Sequence, residues 1–235
     1  RPDAPRPDAL FFAGDLGQRI FRQPFSWAAL GIDIRGRSHV LKVNYRTSHQ
    51  IRTRADRLLP EVLADVDGVS EGRDGTVSLF DGPPPEIRLA ADEATEIRLI
   101  AGWVLDLLDD GMSPEEIALI IRDDSLRPRA EAVAAALGLA PAHLGAEVAV
   151  ADGRIAIATM HVAKGLEFRA VAVMACDDDA LPSAARIAAI ADEADLDHVY
   201  DTERHLLYVA CTRARDRLLV SGVAPGSEFL ADLEA

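Results

Sequence analysis

Four short stretches of this chain collect residues whose types can do chemistry: Gly14-Asp15-Leu16-Gly17-Gln18, Asn44-Tyr45-Arg46-Thr47, Thr159 to Phe168, and Glu203 to Ala214. Arg46 and Arg213 carry the charge that matters most. A guanidinium is permanently cationic and presents a planar fork that fits a phosphate or a carboxylate. Position alone therefore leaves two readings for each: an ion-pair partner of a nearby Asp or Glu, or a binder of an anionic ligand. His161 is either a satisfied, partly buried histidine or a ligand contact. Asp15 and Gln18 are of a kind that makes a turn. Phe21 reads equally as core or as a stacking ring, and Tyr208 as helix packing. Asp177-Asp178-Asp179 invites a metal site, but a solvated loop at a strand end is the better reading. The sequence contains no GxxxxGK[S/T] phosphate loop, no zinc-ligand spacing, no nucleophile elbow and no HExxH.

These residues need elements to hold them. Short apolar runs alternate with amphipathic stretches, the pattern of an α/β domain with a mostly parallel sheet. We expect strands over Leu10–Ala13, His39–Val43, Ile117–Ile121, Arg154–Thr159, Ala170–Ala175 and Arg217–Ser221. They are continuous rather than alternating, as when helices cover both faces. The spacing of Ile97, Ile100, Ala101, Val104 and Leu108 predicts a helix over Asp92–Asp109, with Gly111 as its stop. Ser113 followed by Pro114 reads as a capped helical start. Further helices are expected over Arg129–Leu137, ended by Gly138, and from Thr202 to about Arg215. Asp65–Gly75 and Asp81–Pro85 read as loops. The charged motif residues then fall at strand ends, and in parallel sheets ligands gather at the carboxyl ends.

Composition sets the outer bounds. A length of 235 residues suits one domain, or a domain with a fragment of another. A net charge of -14 argues against a surface that attracts phosphate backbones everywhere, though not against a local basic groove. No apolar run is long enough to span a membrane, so no membrane partner is expected. Cys176 and Cys211 read as buried thiols of a cytoplasmic protein. The polar, Pro-rich start without an initiator Met suggests a piece of something longer.

The four stretches, in order, resemble the C-terminal motifs of UvrD/Rep-like superfamily 1 helicases. Gly14 to Phe21 is similar to GDxxQxIY, and Asn44-Tyr45-Arg46-Thr47 to NYRS. Thr159-Met160-His161-Val162-Ala163-Lys164-Gly165-Leu166-Glu167-Phe168 matches TxHxAKGLEF, and Glu203 to Ala214 matches ERRLLYVALTRA closely. The last two in that order are highly specific. The resemblance covers nearly the whole chain apart from its loops, and reverses the ion-pair reading of the arginines.

The resemblance implies a RecA-like, P-loop NTPase-type three-layer domain with a mostly parallel sheet, lacking the phosphate-loop half. Residues 1–37 would be the tail of a first RecA-like domain, and 38–235 the second. The ligand implied is ATP with Mg²⁺, held mainly by that missing first domain of the same polypeptide. Arg46 and Arg213 would meet its phosphates, because charge builds on the γ-phosphate oxygens in phosphoryl transfer. Gln18 would sense the γ-phosphate, Glu167 would accept from the ribose hydroxyl, and Gly165 would shape that turn. Thr159 and His161 would touch single-stranded DNA, and Phe21 would stack on a base. The implied activity is 3′-to-5′ ATP-dependent translocation or unwinding, absent from the isolated chain. The rival is a degenerate half kept as a DNA- or protein-binding module. Two departures stand out: Gln23 replaces a family tryptophan, for which Trp27 is a substitute, and the large helical insertion before TxHxAKGLEF has no room beyond about Ala140–Asp152.

Overall fold

The computed structural model describes residues 14–18, 20, 26–32, 39, 41–60, 62–64, 70–72, 75–145, 150–190 and 192–234. The strand expected over Leu10–Ala13, the domain boundary near Ser38, and Phe21 and Gln23 lie outside the described residues.

The core of the molecule is a six-stranded sheet. Its strands are β5 (Glu86–Ala90), β6 (Ile117–Ile121), β7 (Ala140–His143), β8 (Arg154–Thr159), β9 (Phe168–Val173) and β10 (Ala214–Val223). They run in the order β5-β10-β9-β6-β8-β7, and every neighbouring pair is parallel. Four shorter strands precede them: β1 (Val43–Asn44) pairs in parallel with β4 (Val77–Ser78), and β2 (Val62–Ala64) antiparallel with β3 (Ser70–Gly72). The helices are α1 (His49–Asp56), α2 (Glu93–Asp109), α3 (Arg127–Leu137), α4 (Ala184–Ala188), α5 (Glu193–Cys211) and α6 (Leu230–Glu234).

Period-two alternation divides the sheet's side chains between two cores. Ile117, Leu119, Ile121, Ile155, Ile157 and Leu219 face α2 and α3. Ala118, Ala156, Ala158, Val171, Val173 and Val220 face the opposite way, against α1, α5 and α6. All of these are fully buried. The second face is the one with alanines at β6 and β8, so chain crossing it can approach closely. This is the three-layer α/β arrangement expected from the sequence.

Local signals explain most boundaries. Asp92 caps α2 by accepting from the Thr95 N–H at 2.7 Å. Glu116 reaches back to the Ser113 N–H at 3.0 Å before β6. Gly138 ends α3 with φ of 67°. Three expectations need correction. The last long helix starts at Glu193 rather than Thr202, because Asp192 caps it through the Asp195 N–H. The run His39–Val43 contributes only its end, as β1. The edge strands β5 and β7 were not foreseen: β5 is half exposed and mixed in character, and β7 contains Pro141, which an edge strand tolerates.

Candidate functional site

The polarity of the sheet sorts the motif residues into two groups. Glu167 precedes β9 and Arg213 precedes β10, so both lie at the amino ends of the strands. Thr159 is the last residue of β8, His161 follows it, and Arg122 follows β6, all at the carboxyl ends. A six-residue strand places these ends about 20 Å apart. The expectation that the charged residues share the carboxyl ends is therefore wrong for Glu167 and Arg213, whereas Arg46 follows β1 and is brought to them by its pair with Glu167. Parallel strands put residues just before a strand at the opposite end from residues just after one.

At the amino end, the side chain of Asn44 accepts from the N–H groups of Arg46 (2.8 Å) and Thr47 (3.1 Å). This Asx turn sets the direction of Arg46 ahead of α1, whose first residue is His49. Arg46 Nε donates to Glu167 Oε2 at 2.8 Å, and both side chains are close to half exposed. Thr47 Oγ1 donates to the Thr212 carbonyl, tying this turn to the end of α5. Nearby, Asp15 accepts from the Gly17 N–H and from Gln18 Nε2, each at 2.8 Å.

Arg213 sits directly beyond the α5 terminus and is only 1% exposed. Its Nε donates to the Val209 carbonyl at 2.9 Å, Nη1 to the Leu166 carbonyl at 3.3 Å and Nη2 to Thr212 Oγ1 at 3.1 Å. These acceptors are all neutral. Burial, and then the nearby Arg46 charge, lower its pKa to about 10, so it stays cationic at neutral pH. An open cleft of about 450 Å³ collects Gln18, Asn44, Tyr45, Arg46, Tyr208 and Arg213. The structure thus brings Gln18, Arg46 and Arg213 into one cleft. Glu167 instead borders a shallower hollow of about 270 Å³, with Glu116, Arg169 and Arg215. Tyr45, 70% exposed on the cleft wall, was passed over by the sequence reading. Its signal was an aromatic ring directly beside the motif arginine.

Residues 160–167 connect the two ends of the sheet. Met160 and Ala163 are fully buried along this crossover, and its turns close through Ala163 N to the Thr159 carbonyl and Leu166 N to the Ala163 carbonyl. Gly165 has φ of 92° with open space around its α-carbon, so backbone conformation, not crowding, requires glycine there.

At the carboxyl end, Thr159 is buried and its Oγ1 accepts from the Val162 N–H. His161 is half-buried, and its pKa is lowered first by that burial and then by Arg122. Arg122 donates to both oxygens of Glu203, at 2.5 and 2.6 Å, and Arg186 Nη1 donates to Glu203 Oε1 at 2.5 Å. Sequence reasoning missed this cluster, because its members come from the residue after β6, from α4 and from α5, and share no local spacing. A second correction concerns Asp177. It is not solvated: it pairs with Arg129 at 2.5 Å and accepts from the Val223 N–H at 2.6 Å. Among the described residues no group of three or more His, Cys, Asp or Glu is placed to hold a metal ion. None of the described helices is long and apolar enough to cross a membrane.

Comparison with known proteins adds a family likeness over part of the chain. Residues 139–224 match the UvrD-like helicase C-terminal domain. Among solved structures, the chain is similar to the C-terminal domain of a possible DNA helicase from Lactobacillus plantarum, with a TM-score of 0.53 and 22% identity over 81% of this chain and 94% of that one. That likeness establishes the fold. The arterivirus nonstructural protein 10, a helicase solved with DNA, reaches a TM-score of 0.35 at 16% identity over 73% of this chain and 43% of that one, too little to carry an argument. No curated protein matches the chain. The stretch that matches the UvrD-like helicase C-terminal domain holds Thr159, His161, Gly165, Glu167 and Arg213.

Proposed function

We propose that this chain is the second RecA-like motor domain of an ATP-dependent 3′-to-5′ DNA translocase or helicase, completed by a first domain of the same polypeptide. The observation that carries the reading is Arg213: a buried cation whose described hydrogen bonds all go to neutral oxygens. A buried charge without a counter-ion is costly, and an incoming polyphosphate would supply one. The cleft's chemistry fits such a ligand. Arg46 and Arg213 bring two positive charges to one opening, Gln18 offers an amide beside them, and the exposed Tyr45 ring offers a stacking surface. Exposed Leu41, Val43 and Val77 near the same opening suit burial by the partner domain.

In this reading the first domain binds ATP with Mg²⁺, whose charge supports phosphoryl transfer. Arg46 releases Glu167 and turns to the phosphates, and Glu167 becomes free to accept from a ribose hydroxyl. Arg213 holds positive charge where negative charge builds on the γ-phosphate oxygens. Thr159 and His161 meet single-stranded DNA at the other end of the sheet. Cleft closure and opening then move the domain along the strand as a hinge. The buried free thiols of Cys176 and Cys211 suit a cytoplasmic setting.

The deciding experiment measures ATP hydrolysis by the full-length polypeptide, with and without single-stranded DNA, for wild type and Arg213→Ala. DNA-stimulated turnover that falls on the order of a thousandfold in the variant is expected. Turnover indifferent to Arg213, or none at all, would sink the motor mechanism and favour a binding module. The isolated 235-residue chain should hydrolyse no ATP.

A further inference from the structure

At the carboxyl end of the sheet one buried carboxylate holds two guanidinium groups. Glu203 is fully buried in α5, and Arg122, 4% exposed, grips both of its oxygens. That bidentate pair is complete on its own, since the two charges cancel and each carboxylate oxygen has a donor. Arg186 adds a third donor through a single nitrogen, at 2.5 Å. It is also the member of the cluster with access to solvent, its side chain being 27% exposed against 5% for Arg122. Removing Arg186 from Glu203 leaves a neutral pair with both carboxylate oxygens still bonded to Arg122, whereas removing Arg122 leaves the buried carboxylate only the single bond from Arg186.

The surroundings make Arg186 the cation available there. Arg129, on the other face, is buried against Glu96 and Asp177. Arg127 is engaged by Asp124 and His143. His161 lies within electrostatic reach of Arg186, Arg122, Glu203 and Asp123, so the half-buried imidazole and the partly exposed guanidinium belong to one patch. In a chain with a net charge of -14, a polyanion can be held only where such local cations are free to turn outward.

We infer that Arg186 is a phosphate-contacting residue for single-stranded DNA, which exchanges its Glu203 oxygen for a backbone phosphate beside His161. The inference rests on the nucleic-acid reading proposed above, and deepens it by naming a cation that neither the motifs nor the resemblance supplied. The exchange requires no net desolvation of Glu203, because Arg122 keeps its two bonds. It adds one charge-assisted contact to the strand, and therefore one counterion released on binding.

The test is a titration of fluorescein-labelled oligo-dT into the full-length polypeptide between 50 and 200 mM salt, a range over which counterion release is readily read. For Arg186→Gln the slope of log affinity against log salt should become shallower by about 0.7, the value for one phosphate on a single strand. Arg186→Lys should restore the wild-type slope. Glu203→Gln removes the competitor and keeps both cations, so it should bind DNA more tightly than wild type. An unchanged slope in a folded Arg186→Gln protein, or weaker binding by Glu203→Gln, would overturn the inference and leave Arg186 a structural partner. Wild-type protein showing no salt-dependent binding would instead overturn the nucleic-acid reading on which it stands.

Discussion

Arg213 and Arg122 are nearly equally buried, yet the molecule treats them oppositely. Arg122, at the carboxyl end of the sheet, is neutralised by a bidentate carboxylate within the fold. Arg213, at the amino end, is held by two carbonyls and a hydroxyl, and burial, then the nearby Arg46 charge, lowers its pKa to about 10. A paired buried arginine is a structural cation. A buried arginine bonded only to neutral oxygens and lining a cleft is the one we propose to meet an anion from outside. Burial alone would have placed both in the same class.

The largest expected difference between the two ends is functional. Arg213→Ala should lower ATP turnover about a thousandfold while the protein stays folded, since no internal ion pair is broken. Arg122→Gln should do the reverse, destabilising the fold by roughly 3 kcal/mol because Glu203 keeps only its single contact with Arg186. Denaturant melts of both variants measure this, and equal destabilisation would erase the distinction. The crossover between the ends is next. Gly165→Ala forces a side chain into a positive-φ conformation, and should cost about 1–2 kcal/mol in the same melts.

The pH dependence of the carboxyl end comes after these. His161 faces Arg122, Arg186, Glu203 and Asp123, and its folded pKa lies below its ordinary 6.5. Between the two values the unfolded chain binds the proton and the folded one does not, so stability is complete above about pH 6.5 and is lost as pH falls through the folded value. His161→Gln should flatten stability measured from pH 7 to 5. A phosphate arriving there would favour the imidazolium, so oligo-dT binding should strengthen over the same fall in pH. The smallest effect is expected at the exposed Arg46–Glu167 pair, where Glu167→Gln should shift stability by about 0.2–1 kcal/mol. A larger loss would show that Arg46 is committed to the fold rather than kept for a ligand.

Much of this was legible in the chain itself. The continuous apolar runs announced β6, β8 and most of β9, because a strand covered on both faces must be apolar throughout. Asp92, Ser113 and Gly138 marked their boundaries because caps act within three or four residues. The edge strands β5 and β7 were missed because one edge of each is unpaired, which relaxes both composition and the bar on proline. The start of α5 was missed because the stretch from Glu193 to His198 is acidic in sequence, and Asp195, Asp197 and His198 are exposed, leaving little periodicity to read.

The residue types and their order along the chain determined the family motifs, the α/β layering and the identity of Arg46, Gln18, Glu167 and Arg213 as residues of interest. Only the tertiary structure decided that Arg46 and Arg213 share one cleft, that Glu167 pairs with Arg46, and that Thr159 and His161 stand at the opposite end of the sheet. It alone produced the Arg122–Glu203–Arg186 cluster. The reason is physical. Local patterns record which residues must be buried or must cap a helix, since those forces act over a few residues. Which charge meets which depends on strand order and polarity, set by the packing of the whole sheet.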